Sequence, residues 1–327
     1  MKIAVLGATG LLGHHTARAI RAAGHELVLI HHPASRIERL GYLDPELHSA
    51  ELFDHSQLSR ALADLDGVVF CSDDAPTRHR RWQDAVASAL DETNHFYAAC
   101  LSAHVPRILH VGASVALPRH PDGERGHEGL FYDEMPRWKN PYLLCKWALD
   151  RQAREQARAG LPVVIGIPGM ALGEFDAGPS SGRLITAIAS GAMSRYVEGQ
   201  RNVIDAGEAG RGLLLALEKG RAGERYLITG TNIEMAELTA HIARLLEVAA
   251  PTPMPLAVAR GMAALQRLRQ RMSGEALKID PTSIAAMAGG QFLDGAKAAA
   301  ELGFQAEVAL DDTLRRAIRW FGENGYL

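Results

Sequence analysis

The sequence predicts an α/β protein, a doubly wound parallel sheet followed by a smaller, mostly helical C-terminal lobe. Three observations carry this. Short apolar runs alternate with longer helical patterns through the first half; runs such as VVIGI at 163–167 are apolar throughout; and the first run flows into the glycine-rich stretch GATGLLG. Alternation of this kind means parallel strands joined by right-handed helical crossovers. Strands without polar alternation are those covered on both faces.

In chain order, strands are expected at 2–6 (KIAVL), 26–30 (ELVLI), 67–71 (GVVFC), 107–111 (RILHV) and 162–167 (PVVIGI), with a weaker run at 47–50. Helices are expected between them at 11–23, 56–62, 78–103 and 141–159. After Pro168 the texture changes to the loop-rich MALGEFDAGPSSGRL. Helices then follow at 184–190, 208–219, 235–249, 256–272 and 311–324, with few strands. This divides the chain into a first domain at 1–167 and a second lobe at 168–327, with 202–230 as an alternative return to the first domain. At 327 residues the chain exceeds the usual single core, in keeping with a large domain carrying a smaller lobe.

Thirty-five basic against 38 acidic residues leave a net charge of -3. No basic field exists to draw nucleic acid or anionic lipid, so the expected partner is a small-molecule substrate. Cys71, Cys100 and Cys145 are the only cysteines, an odd number without CxxC spacing. They read as free thiols in a reducing compartment, which points to the cytoplasm. The apolar run after Lys2 stops at Gly7, too soon for a signal peptide, and no run reaches the ~18 residues of a membrane span.

The stretch Gly7-Ala8-Thr9-Gly10-Leu11-Leu12-Gly13 has the spacing GxxGxxG between a predicted strand and a predicted helix. That context is the signature of a Rossmann dinucleotide site. Gly7 permits the tight turn, Gly10 lets a pyrophosphate approach the main chain, and Gly13 lets helix pack on strand. The helix N-terminus, with Thr9, Leu11 and Leu12 around it, offers N–H groups to the anion. Of the adjacent His14 and His15, one is expected to face solvent and the other to pack. Half of the 14 histidines precede residue 56, yet none falls in a metal-binding spacing, so no metal is expected.

The end of the second strand bears on the choice of nicotinamide. A carboxylate there would hold the ribose 2′-hydroxyl of NAD, whereas this chain reads His31-His32-Pro33-Ala34-Ser35-Arg36. His32, Ser35 and Arg36 suit a 2′-phosphate, so NADP is expected, with NAD as the alternative.

Tyr142 and Lys146 stand at i and i+4 on a predicted helix, hence on one face. A phenol near pKa 10 is a poor acid-base catalyst at neutral pH. Lowering it by about three pH units takes about 4 kcal/mol. An ammonium about 4 Å away supplies that order of energy at an effective dielectric near 20. The same ammonium can also bind the ribose hydroxyls of the nicotinamide.

GATGLLG at the first strand, YLLCK after the fifth, GLPVVIGIPG, the GPSSGRLI loop and GERYLITG together resemble an extended short-chain dehydrogenase/reductase. Within it the chain is most similar to the NAD(P)-dependent epimerase/dehydratase group, in its dihydroflavonol-reductase-like and hopanoid-associated sugar-epimerase-like branches. The resemblance covers residues 1 to about 249. It implies Tyr142 as acid/base, Lys146 lowering its pKa and binding ribose, a Ser or Thr ending the fifth strand to position the substrate oxygen, and a homodimer built on the helices at 78–103 and 141–159. It also places Glu51 and Leu52 near the adenine and Pro168 beside the cofactor.

The departures matter as much. Ala113 aligns with the family serine and Ser114 follows it, so either Ser114 is the third catalytic group or none is present. Asp73 and Asp74 replace small residues beside the cofactor, and Met170 stands for an asparagine usual in nucleotide-sugar enzymes. The leading function is an NAD(P)-dependent oxidoreductase moving hydride to or from a substrate carbonyl or alcohol. The alternatives are a nucleoside-diphosphate-sugar epimerase or dehydratase using bound NAD, and a degenerate dinucleotide-binding sensor. Phe131, Tyr132 and Trp138 are read either as substrate contacts or as lobe packing.

Overall fold

The computed structural model describes residues 1–71, 81–137, 140–259, 261–262 and 290–327. The expectations for Asp73, Asp74 and Trp138, and most of the helix at 256–272, lie outside the described residues. In the first half the chain runs β1 (Lys2–Leu6), α1 (Leu11–Ala22), β2 (Glu26–His31), β3 (Glu46–Ser49), α2 (His55–Ala61), β4 (Gly67–Phe70), α3 (Trp82–Ser102), β5 (Ile108–Val111), α4 (Pro141–Arg158) and β6 (Val163–Pro168). The second half adds β7 (Met170–Leu172), α5 (Arg183–Ala189), β8 (Arg195–Tyr196), β9 (Gln200–Asp205), α6 (Ala206–Lys219), β10 (Arg225–Ile228), β11 (Thr231–Glu234), α7 (Met235–Leu246), β12 (Thr252–Pro253), α8 (Ala296–Leu302) and α9 (Leu310–Glu323).

Seven strands form one parallel sheet in the order β10-β6-β5-β4-β1-β2-β3. The chain steps outward from β1 to β3, returns to β4, and then steps the other way. The reversal between β1 and β4 is where such sheets open a crevice at their carboxyl ends. Along β1, Ile3 and Val5 join the apolar cluster shared with α1 and α6, while Ala4 and Leu6 join the cluster on the opposite face. Both faces are buried, and burying each such Val, Leu or Ile is worth about 1.5–3 kcal/mol. β10 pairs with β6, so 225–228 completes the large sheet although β9 does not.

The second lobe holds more strand than the sequence suggests. β11, β9 and β7 form a three-stranded sheet, and β12 pairs with β8. These strands span two to six residues, and apart from the short apolar β7 they carry polar side chains, so no period of two is long enough to stand out. Around them α5, α7 and α9 close a separate core on Leu172, Ile185, Leu238, Leu314 and Phe321. α8 is unforeseen as well. Among the described residues no helix is long and apolar enough to cross a membrane.

Candidate functional site

Parallel strands put all their carboxyl ends on one edge, and the loop residues singled out above follow those ends. Gly7 leaves β1 with φ +82°, and a Cβ on it would lie 2.8 Å from the Cys71 carbonyl oxygen after β4. A Cβ on Gly13 would lie 2.2 Å from the Gly7 carbonyl oxygen. Both positions need glycine to close the loop on itself. Gly10 differs: the nearest atom to its Cβ position is 3.5 Å away, and Gly10 and Thr9 are exposed. Gly10 also starts α1 without a side-chain cap. Leu11, Leu12 and Gly13 carry the first-turn N–H groups of α1, next to the open flank of Gly10 and at the positive end of the helix. A pyrophosphate fits this cradle.

After β2, residues 32–35 fold into a turn in which Ala34 N donates to His32 Nδ1 at 3.1 Å and Ser35 N to His32 O at 2.9 Å. His32 and Arg36 are exposed and Ser35 is half-buried. Glu51 is exposed after β3, while Leu52 packs onto the sheet. Pro168 ends β6 and is buried.

The helix carrying the tyrosine begins where its sequence says it must. Asn140 Oδ1 accepts from Leu143 N at 3.0 Å, and Pro141 takes the first helical position. This puts Tyr142 in the first turn of α4 and Lys146 one turn deeper. Lys146 is 7 % exposed, with its ammonium 5.8 Å from the centre of the Tyr142 ring. Ala113 is extended, and Ser114 opens a single 3-10 turn, Ser114–Ala116, that packs against α4. Both residues are half-buried.

Beneath this pair lies a polar layer that the sequence did not announce. His110 of β5 is buried, and its Nδ1 is 3.0 Å from the hydroxyl of the equally buried Tyr97. Burial, reinforced by the charge of Lys146, lowers the His110 pKa to about 3, so its ring is neutral. Further along α4, Asp150 meets Arg225 at 3.2 Å in a buried pair, and Arg225 also donates to the carbonyls of Glu128 and Leu130. These bonds fix the excursion between β5 and α4 against the edge of the sheet. Phe131 stacks under Arg154, 4.8 Å from its guanidinium carbon, and Arg154 lies about 18 Å along α4 from Tyr142. The Phe131 ring is exposed and rests on α4.

The expectation that His14 or His15 faces solvent is overturned. Both are buried, at 4 % and 3 % exposure. The loop that follows β7 covers them: the Phe175 ring stacks on His14 at 4.3 Å, His14 Nε2 meets the Tyr42 hydroxyl at 2.9 Å, and His15 Nε2 meets Glu174 O at 2.9 Å. A partner 159 residues away leaves no local signature. Burial lowers the pKa of His14 to about 3 and of His15 to about 4. Asp176 holds the loop by accepting from Ser180 N and Gly182 N.

Two arginines outside any sequence motif also meet near this edge. Arg201 of β9 is buried, and its pKa falls to about 10, first through burial and then through the charge of Arg119. Arg119, in the excursion after β5, donates to the carbonyl of Gly290 at 2.9 Å. The carboxylate of Glu234 acts the other way and raises the Arg201 pKa.

Residues 3–229 match the NAD dependent epimerase/dehydratase family. The chain belongs to that family. Among its relatives in the family, a nucleoside-diphosphate-sugar epimerase from Pseudomonas aeruginosa, known from a crystal structure, is 63 % identical. That likeness covers 100 % of this chain and 99 % of the other, with a TM-score of 0.88. The sterol demethylase protein B of Methylococcus capsulatus is 25 % identical over 100 % of both chains. A Synechocystis homologue named dihydroflavonol 4-reductase is 23 % identical over 99 % of this chain and 95 % of its own.

Proposed function

We propose that this family member is an NAD(P)-dependent oxidoreductase in which Tyr142 transfers a proton to or from a substrate oxygen. The observation that carries the reading is the buried Lys146 one turn below Tyr142 on α4, at the sheet edge where the Gly10 cradle opens. When bound, a nicotinamide cofactor supplies hydride transfer at a substrate carbon. The protein does the rest. The Lys146 ammonium stabilises the Tyr142 phenolate and binds ribose hydroxyls, and the positive end of α4 acts in the same direction. Ser114 orients the substrate oxygen in place of the residue lost at Ala113. His110, neutral beneath them, adds no charge to oppose the lysine.

NADP is preferred over NAD in this reading, supported by exposed His32 and Arg36 with Ser35 between them and no carboxylate at the end of β2. Titration with NADPH and NADH tests it. NADPH is expected to bind more tightly, Arg36→Ala to narrow the difference, and equal wild-type affinities would defeat the preference. For the mechanism, Tyr142→Phe is expected to abolish turnover while cofactor still binds, and Lys146→Ala to damage both. Ser114→Ala is expected to lower turnover by about 10- to 1000-fold. Full activity in Tyr142→Phe would overturn the acid-base role.

A second reading, epimerisation of a nucleoside-diphosphate sugar, is favoured by the likeness to the Pseudomonas aeruginosa protein. An epimerase returns its hydride and leaves cofactor absorbance unchanged over turnover, whereas a reductase consumes NADPH. Incubation with UDP-glucose, followed by NMR of the sugar and absorbance of the cofactor, separates the two. The active unit is proposed to be a homodimer through α3 and α4, in which Trp82 and Trp147 are half-buried in the single chain. A monomeric mass at micromolar concentration would contradict it.

A further inference from the structure

His15 is 3 % exposed and sits on α1, two residues past the glycine loop. Its Nε2 faces the carbonyl oxygen of Glu174, which only accepts, so Nε2 carries the proton and Nδ1 of the neutral ring presents a lone pair. Among the described residues, that Nδ1 and the Nε of Arg316 on α9 are both buried and have no hydrogen-bond partner. One is an acceptor and the other a donor.

Asp205 connects them. Its Oδ1 accepts from Gly207 N at 2.9 Å and Glu208 N at 3.2 Å, capping α6. Its Oδ2 accepts from Thr313 Oγ1 and Arg316 Nη2, tying α9 to the same carboxylate. A Cβ built on Gly207 would lie 3.0 Å from Asp205 Oδ1 and 3.8 Å from His15 Nδ1. The two acceptors thus flank one side of a residue that has no side chain. They cannot bond to each other.

We infer that an ordered water molecule is bound beside Gly207, donating one hydrogen to His15 Nδ1 and the other to Asp205. Its oxygen is left to accept, and the Nε–H of Arg316 is the donor of matching polarity on the same carboxylate. Buried water takes sites of this kind, with two to four polar partners. A metal cation would satisfy the two acceptors, but the Arg316 guanidinium already on Asp205 repels it. Protonating His15 to pair with Asp205 directly is opposed by burial and by the charges of Arg18 and Arg316. The water therefore links α1, whose N-terminus faces the proposed cofactor, to α9 of the second lobe, independently of which reaction the protein catalyses.

The test is a crystal structure of the full chain together with the nitrogen NMR spectrum of the His15 ring. The expected result is solvent density within hydrogen-bond reach of both His15 Nδ1 and Asp205, with Nε2 protonated and Nδ1 hydrogen-bonded. Gly207→Ala should displace that density and move the Nδ1 resonance towards a free imine nitrogen. It should also lower Tm by a few degrees although alanine is the better helix former. A wild-type Nδ1 that already resonates as a free imine, a ring protonated on Nδ1, or density better fitted by a metal ion would overturn the inference. Should Gly207→Ala fail to fold, the wild-type density and spectrum decide on their own.

Discussion

The glycine loop of residues 7–13 and the loop of residues 173–182 meet across α1, and they are built on opposite principles. The first is local. Its shape comes from glycines whose missing side chains let the backbone close on itself, and its chemistry comes from main-chain N–H groups at a helix end. The second is held by side chains from far away: His15 and His14 from α1, Tyr42 from the 3-10 helix Glu38–Leu43 that precedes β3, and the Tyr326 hydroxyl donating to Ala177 O. Its Phe175 even keeps φ at +66°, a conformation that costs a non-glycine residue about 1–2 kcal/mol. A cradle made of backbone is specified by spacing alone, whereas a clasp made of rings exists only once two distant segments are brought together.

The largest effect is expected from breaking the local region at its two unlike glycines. Gly13→Ala forces a Cβ against the Gly7 carbonyl and should destabilise the fold by about 3 kcal/mol in urea unfolding. Gly10→Val should leave the unfolding curve nearly unchanged and abolish dinucleotide binding, because its flank opens outward. Equal damage to stability by both would erase the distinction drawn between them.

The next effect falls on the distant region through pH. His14, His15 and His110 have folded-state pKa values of about 3, 4 and 3, lowered by burial from 6.5. Below 6.5 the unfolded chain takes up protons that the folded chain refuses, so stability is complete above about pH 7 and falls as pH drops towards 4. The slope is on the order of 1.4 kcal/mol per pH unit for each histidine in that window. A Tm that stays flat between pH 7 and 4.5 would contradict the burial of these rings.

Asp176→Ala leaves the N–H groups of Ser180 and Gly182 without their acceptor and should cost about 1–3 kcal/mol, read as a fall in Tm, with dinucleotide affinity retained. The smallest effect sharpens the contrast most. Phe175→Ala loses the stack on His14, worth about 1 kcal/mol beyond buried area, and keeps the left-handed backbone. Phe175→Gly loses the same stack but relieves the backbone, so it should be the more stable of the two by about 1 kcal/mol. The reverse order would mean that the left-handed backbone at residue 175 is not strained.

The sheet up to β6, the glycine loop, and the Tyr142–Lys146 helix with its Asn140-Pro141 start are legible in the chain alone. Each rests on interactions within one or two helical turns or on apolar runs long enough to have a period, and such signals survive in one dimension. Folding in three dimensions is what buries both His14 and His15, lets Arg225 fix the excursion carrying Glu128, brings Arg201 within reach of Arg119, and pairs the short strands of the second lobe. The partners there are separated by tens to more than a hundred residues. A polar side chain in such a contact looks like a surface residue until folding brings it a partner, because the energy that keeps it buried belongs to the pair.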